Sequence, residues 1–418
     1  MLSIQKKLSN PFYVLLGLPA TAMGFGLSIQ IAVLSWILRT KYGLEIHEIG
    51  IVWAAGPIAG IIGQPIVGLI SDKVWFLGGR RRPFILIGGI LTALSILALP
   101  NIDVVSSFLG ITNLMAVAIT VALTLDLAIN ISFNPTRSVI ADVTPEGEKR
   151  TKGYTWMQSI SNLFGALAYL ISALVGNYEL IYIGVGIILI FSLLPIFIIE
   201  EPKTLNGSAD LNENESHSGK TNWPQLMRIY FAHGFSWLGI QTMFIYLFAF
   251  LERVLSVSDA DTLGAITGWS FFILNGVGFL IPIFLLQPLS ERFGPVKIHR
   301  LSVATMAIGY LGIAFFVEST WVLYAFFFIL SIGWSAVVSL PFAIMSENVD
   351  RSNMGFFMGI FNLSVVLPQL IASLAIGFLI NRYIDQYASI VFLLSGVSLA
   401  ISALLWGLVK ETGIKRKA

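Results

Sequence analysis

The sequence predicts an all-α membrane protein with twelve transmembrane helices in two pseudo-symmetric six-helix bundles. Three observations carry that expectation: too little charge for a soluble surface, a series of apolar stretches of bilayer length, and one long polar interruption near the middle. Charged residues make up 11% of the 418 and hydrophobic residues 56%, with a mean hydropathy of +0.83. Soluble domains carry about 25% charge. The net charge of +2 says little about partners; the placement of the charges says more.

A helical span needs about 20 mainly apolar residues, more if it is tilted. The first predicted span, 12–38, follows Lys6 and Lys7 and closes before Arg39. It is too long for the apolar core of a cleavable signal and lacks a small-residue cleavage site. The second, 46–71, ends at Asp72-Lys73, and the third, 83–100, lies between an arginine cluster and Pro100. The fourth, 110–142, runs to Asp142; the fifth and sixth, 150–176 and 179–199, are separated by Gly176-Asn177-Tyr178. The second set is predicted at 224–251, 260–290, 296–317, 320–346, 353–381 and 386–409, with charges or prolines at most of the junctions. Between the sets, Glu200 to Asn222 is the only long polar stretch, rich in Asn, Ser, Glu and Gly. Such a composition cannot bury a core and reads as a linker. The expected organisation is therefore a bundle over 1–199, a cytoplasmic linker over 200–222 and a second bundle over 223–418.

Orientation follows from the basic residues. With the N-terminus inside, all but five of the 25 lysines and arginines fall on inside loops and tails. The exceptions are Arg39, Lys41, Arg253 and Arg382 outside and Arg137 within a span. This asymmetry places both termini in the cytoplasm. Corresponding features recur in the two halves. Gln64-Pro65 and Gln287-Pro288 precede matching loops, Pro135 leads Asp142 as Pro341 leads Glu347, and Asn162-Leu163 matches Asn362-Leu363. Internal repeats of this kind belong to transporters whose halves rock about a midplane site.

Between the second and third spans stands GLISDKVWFLGGRRRP, from Gly68 to Pro83. Gly68 permits close helix approach, Asp72 can pair with a helix N-terminus or a nearby arginine, and Arg80, Arg81 and Arg82 can bond helix-end carbonyls and acids across the seam between halves. The loop resembles the signature of the major facilitator superfamily. The six-residue spacing from Asp72 to Gly79-Arg80, with GPIAGIIGQPIVGLISD from Gly56, is similar to the sucrose/proton symporters and their bacterial and animal relatives, the glycoside–pentoside–hexuronide:cation symporter type. LDLAINISFNPTRSVIADV (from Leu125), LPFAIMSE (from Leu340) and GIFNLSVVLPQLIAS (from Gly359) resemble spans 4, 10 and 11 of those symporters. The chain departs from the plant carriers at Ile266 and Thr267, where they have an Arg-Glu pair, and in span 7, where their acidic motif is absent. His47 stands near their first-loop histidine with shifted spacing. The resemblance implies a bacterial-type sugar symporter, and the short loops, short tail and lack of cysteine fit a protein of the bacterial cell (inner) membrane.

Asp126 is the leading functional candidate. It lies deep in the fourth span, where a charge costs roughly 2.5–3.5 kcal/mol on insertion scales. Burial favours the neutral form of a carboxyl, so this group is expected to bind and release a proton. The resemblance assigns proton coupling to the same residue; the bland reading is a structural hydrogen-bonding acid. Asp126, Asn130, Phe133 or Asn134, and Arg137 share one helix face. At 1.5 Å per residue Arg137 stands about 16 Å from Asp126, too far for a salt bridge. It is assigned to the cytoplasmic vestibule as a ligand for substrate or gate.

Sugars need neutral hydrogen-bonding groups and aromatic faces. The candidate substrate ligands are Gln30, Asn130, Arg137, Trp156, Gln158, Asn162, Gln241, Asn275, Asn362 and Gln369, with Trp237, Tyr246, Trp269 and Trp334 nearby. Of these, the resemblance favours Asn162, Asn362 and Gln369. The competing reading makes the amides helix-to-helix glue and the aromatics an interfacial belt. The candidate cytoplasmic gate is Gly68, Asp72, Arg80, Arg81, Arg82, Asp142 and Glu347.

With no cysteine and four scattered histidines, no thiolate site or metal-ligand spacing exists, and no catalytic motif appears, so no enzyme activity, metal or cofactor is expected. The expected function is proton-coupled uptake of a disaccharide or related glucoside by alternating access, with the bilayer as environment, no nucleic-acid partner and a monomeric state. A sugar uniporter, a sodium-coupled carrier and a drug or metabolite exporter of the same fold are the alternatives.

Overall fold

The computed structural model describes residues 5, 7–145, 148–201, 221–349 and 354–411. Among them the chain is helical rods joined by short turns, and its single β-type pairing is an isolated bridge between Phe76 and Gly79. The first set comprises α1 (Asn10–Thr40), α2 (Ile46–Trp53 continuing as Ala55–Lys73), α3 (Arg82–Ala98, extended by Ile102–Leu109), α4 (Leu114–Val143), α5 (Glu148–Leu174) and α6 (Asn177–Ile198). The second comprises α7 (Trp223–Val254), α8 (Ala260–Ile281 and Gln287–Phe293), α9 (Pro295–Phe316), α10 (Thr320–Ser346), α11 (Met354–Ile371 and Gly377–Tyr383) and α12 (Ile390–Trp406). Ten helices among the described residues are long and apolar enough to cross a membrane, and α12 is a shorter apolar rod.

The chain divides into two compact units, Met1–Leu44 with Val52–Leu211, and Glu45–Ile51 with Asn212–Ala418. Each repeats the same internal pairings. In the first, α1 packs on α5 and α6, α3 on α4 and α6, and α2 on α4. In the second, α7 packs on α11 and α12, α9 on α10 and α12, and α8 on α10. Lipid tails supply no hydrophobic drive between helices, so the tightest contacts rely on small residues. A Cβ on Gly88 of α3 would lie 2.2 Å from the Ser132 Oγ and 2.7 Å from the Ala128 carbonyl oxygen of α4. At the corresponding α9–α10 contact, a Cβ on Gly333 would lie 2.3 Å from the Met306 Cβ.

Two local departures from the predicted spans have physical causes. The third span does not stop at Pro100: a 3-10 turn, Leu99–Asn101, accommodates the proline at its start and the rod resumes to Leu109. Proline is tolerated there because the first turn needs no N–H from it. Termination comes at Gly110, left-handed at φ 66°. Both α8 and α11 contain a π-turn, Pro282–Leu286 and Ala372–Ile376. The widened turn in α11 is stitched by Tyr246 of α7, whose hydroxyl lies 3.2 Å from each of the Ala372 and Ser373 carbonyl oxygens. Gly50 and Gly377 make room for it: a Cβ on either would come within 2.4 Å of that hydroxyl. His47 packs its ring on Phe378 at 5.3 Å.

Candidate functional site

In the first unit, three helices converge on Asp126. Its carboxylate is 7% exposed and accepts one side-chain hydrogen bond, from Gln30 Nε2 of α1 at 3.0 Å. Gly56 of α2 faces the same group, and a Cβ there would stand 3.3 Å from both carboxylate oxygens. One turn along α4, Asn130 donates its Nδ2 to the Asp126 main-chain carbonyl at 2.7 Å. Gly63 of α2 leaves space beside that amide, its Cβ position lying 3.3 Å from the Asn130 Cβ. Glycines at 56 and 63, seven residues apart, thus let α2 lie against the polar face of α4. Among the described residues no cation pairs with Asp126.

Farther along α4, the buried stripe ends. Arg137 is exposed, lays its guanidinium 4.3 Å above the Phe133 ring, and pairs with no carboxylate among the described residues. Tyr154 of α5 donates to the Arg137 carbonyl at 3.2 Å. On α5, Trp156 is half-buried while Gln158 and Asn162 are exposed and bonded to each other, Gln158 Nε2 donating to Asn162 Oδ1 at 2.8 Å.

The second unit groups its amides differently. Gln241 of α7 is 4% exposed and accepts from Gln369 Nε2 of α11 at 3.2 Å. Asn275 of α8 is bonded at both ends: its Nδ2 donates to the Phe271 carbonyl at 3.0 Å, and its Oδ1 accepts from Trp334 Nε1 of α10 at 3.1 Å. Asn362 is half-buried on α11.

The arginine loop is held within the first unit. Arg81 Nε bonds Asp142 Oδ2 at 3.1 Å, both side chains nearly enclosed. The main-chain N–H groups of Arg80 and Arg81 both donate to Glu201 Oε2 at 2.8 Å, and that of Arg82 donates to Glu201 Oε1 at 2.7 Å. The Arg82 guanidinium returns to the Gly78 carbonyl. Arg150 donates to the Ala141 and Thr144 carbonyls at the end of α4. Glu347 is exposed at the C-cap of α10. Gly68 and Asp72 lie within the range of α2, but their side-chain positions fall outside the described residues.

The family model of the Major Facilitator Superfamily matches residues 18–367, with a second match over 259–418. The chain belongs to the major facilitator superfamily. Within it, similarity extends to sucrose transport protein SUC4 of Arabidopsis thaliana, 23% identical over 87% of this chain and 83% of that one. Sucrose transport protein SUT1 of Oryza sativa subsp. japonica is 24% identical over 87% and 81%. The general alpha-glucoside permease of Schizosaccharomyces pombe is 27% identical over 42% of this chain and 34% of its own. The inward-open structure of the xylose transporter XylE from E. coli shares the fold, with a TM-score of 0.72 at 16% identity, covering 97% of both chains. The structure of nucleoside transporter NupG does so as well, with a TM-score of 0.72 at 11% identity over 96% and 98%.

This facilitator chain has two acids that its sequence did not single out. Glu201 closes the N-terminus of α3, and Glu411 does the same for α9, accepting from the Lys297 N–H at 2.8 Å and the Val296 N–H at 3.3 Å. Each faces a glycine. A Cβ on Gly79 would lie 2.6 Å from Glu201 Oε1, and one on Gly294 would lie 2.3 Å from Glu411 Oε1. Glu201 sits at the start of the stretch read as a linker and Glu411 in the tail; only the recurrence of Gly before and Glu after corresponding helices could have shown them. Gly56 was legible as a motif residue but not as a neighbour of Asp126.

Proposed function

We propose that this facilitator couples the inward movement of a proton to uptake of a disaccharide or related glucoside. It works as a monomer in the cytoplasmic membrane, with both termini inside and residues 200–222 linking bundles 1–199 and 223–418. The observation that carries this reading is the setting of Asp126: a carboxyl buried in a membrane helix, met by one amide and by a glycine, with no described cation beside it. An ionised carboxylate in such a place is costly, and protonation removes the cost. Gln30 suits both states, since a primary amide can donate to a carboxylate or accept from an acid.

In the proposed cycle, the outward-facing carrier takes a proton at Asp126 and then the sugar. The neutral acid allows the loaded chamber to close, and release inside returns the charge before the empty carrier reorients. Gln158 with Asn162, Gln241 with Gln369, and Asn362 offer neutral hydrogen bonds suited to a polyhydroxylated, uncharged solute. The sucrose and α-glucoside relatives, and a D-xylose-proton symporter of the same fold, support that solute class. The cytoplasmic gate is assigned to Gly68, Asp72, Arg80, Arg81, Arg82, Asp142 and Glu347.

The test is uptake of labelled sucrose and maltose into proteoliposomes with an acid exterior. Accumulation above the external concentration, abolished by a protonophore and indifferent to a sodium gradient, is expected. Equilibration without accumulation, or drive by sodium alone, would overturn the coupling.

A further inference from the structure

The repeat that gives the two units the same helix pairings also closes corresponding helix ends alike. Gln5 donates its Nε2 to the Glu200 carbonyl at 2.8 Å in the first unit, and Gln225 donates its Nε2 to the Lys410 carbonyl at 2.6 Å in the second. One residue on, Glu201 and Glu411 take N–H groups at the starts of α3 and α9, beside Gly79 and Gly294. These contacts make Gln5 equivalent to Gln225, Glu200 to Lys410 and Gly79 to Gly294. Counted from them, Arg228 of α7 is equivalent to Leu8, and Arg300 of α9 to Ile85. The second unit therefore carries cations at three positions where the first carries Leu, Ile and Glu. The shared architecture forms without them.

The three cations converge on one turn. Past the end of α12, the N–H groups of Gly407, Leu408 and Val409 bond back to the Leu404, Leu405 and Trp406 carbonyls. Arg228 Nη1 donates to the Leu408 carbonyl at 3.2 Å, which uses one of five guanidinium donors. From α9, the Arg300 guanidinium approaches the preceding residue: a Cβ on Gly407 would lie 3.0 Å from its carbon. Lys410 follows in the tail. All three residues are exposed, and among the described residues none of them pairs with a carboxylate. The adjacent Glu411 is committed to the α9 N–H groups. A helix C-terminus favours a cation, but one would meet that need. One turn from the two arginine contacts lies exposed apolar surface, Phe231 of α7 and Leu404 of α12. With the termini inside, as proposed above, this end of the second unit meets the cytoplasmic leaflet, whose surface is negative.

We infer that the turn after α12 binds the headgroup of an anionic glycerophospholipid. Its phosphodiester takes the guanidinium groups of Arg228 and Arg300 and the Lys410 ammonium, while its acyl chains lie over Leu404 and Phe231. Guanidinium forks match phosphate oxygens in pairs. A soluble phosphate offers the same oxygens but leaves the apolar surface uncovered.

The test is native mass spectrometry of the full chain in detergent, titrated with phosphatidylglycerol or with phosphatidylcholine of the same acyl chains. Wild type is expected to bind its first phosphatidylglycerol about tenfold more tightly than its first phosphatidylcholine. Exchange to the first unit's residues, Arg228→Leu with Arg300→Ile and Lys410→Glu, should abolish that preference. Arg228→Leu or Arg300→Ile alone should weaken phosphatidylglycerol binding about fivefold, the share of one basic group at an anionic surface. These single variants decide the matter if the triple variant does not elute as monodisperse protein. Lys149→Gln, which removes an exposed cation of the first unit, should leave the preference unchanged. Equal binding of the two lipids by wild type, a preference that survives the substitutions, or an equal loss in Lys149→Gln overturns the site. Displacement of the lipid by millimolar glycerol 3-phosphate would make this a site for a soluble anion and overturn the lipid as its occupant.

Discussion

At the scale of single residues, proton coupling depends on how little surrounds the Asp126 carboxylate. A Cβ at position 56 would stand 3.3 Å from both of its oxygens, tighter than most real Cβ contacts. Gly56→Ala is therefore expected to slow uptake several-fold while leaving expression intact, and Gly56→Val to abolish uptake; side-by-side initial rates at equal protein levels check this. Gln30→Leu removes the donor and leaves a buried oxygen unmet, a change worth about 1–3 kcal/mol. Asp126 and Gln30 were both legible in the sequence as polar residues inside apolar spans. Their pairing was not, because they are 96 positions apart and only the packing of α1 on α4 joins them. The same holds for Gln241 with Gln369. Sequence shows that amides are present in a membrane, while tertiary structure decides which of them bond to each other.

At the scale of elements, the N-terminal ends of α3 and α9 are closed by Glu201 and Glu411. A carboxylate at a helix N-terminus satisfies orphan N–H groups and meets the positive end of the helix dipole, for about 1–2 kcal/mol in total. Glu201→Ala is thus expected to lower the melting temperature of the detergent-solubilised protein by a few degrees, with Glu201→Gln intermediate. Gly79→Ala should match the alanine variant, because its methyl would displace the carboxylate. Tyr246→Phe is a separate check on the α11 π-turn: it removes the one O–H donor that the Ala372 and Ser373 carbonyl oxygens share and should destabilise the protein by about 1 kcal/mol, read by the same melt. Hydropathy made most of the rods visible in sequence, since each must be apolar for bilayer length. It could not show the continuation of α3 past Pro100 or the π-turns, because proline reads alike as a stop and as a first-turn residue, and a widened turn leaves the apolar pattern unchanged.

At the scale of the whole molecule, the repeat that the sequence suggested in three short echoes appears as one set of helix pairings used twice. The polar stretch between the halves was the clearest boundary in the chain, yet its first two residues are structural. Glu200 exchanges two hydrogen bonds with Gln5, at 2.8 and 3.0 Å, and Glu201 caps α3. Composition alone could not separate these acids from the Asn- and Ser-rich residues that follow. Because the chain has no cysteine, single cysteines can map its orientation. Ser216→Cys is expected to react with an impermeant maleimide only from the cytoplasmic side, and Ser107→Cys only from outside; the reverse pattern would invert the proposed topology. In the proposed mechanism a single carboxyl, that of Asp126, ties sugar movement to proton movement. The most direct measurement is sugar-induced proton entry in vesicles containing Asp126→Asn, with exchange of labelled sugar followed in the same preparation. If Asp126 carries the proton, proton entry and accumulation vanish while exchange persists. Proton entry at the wild-type ratio to sugar would contradict it.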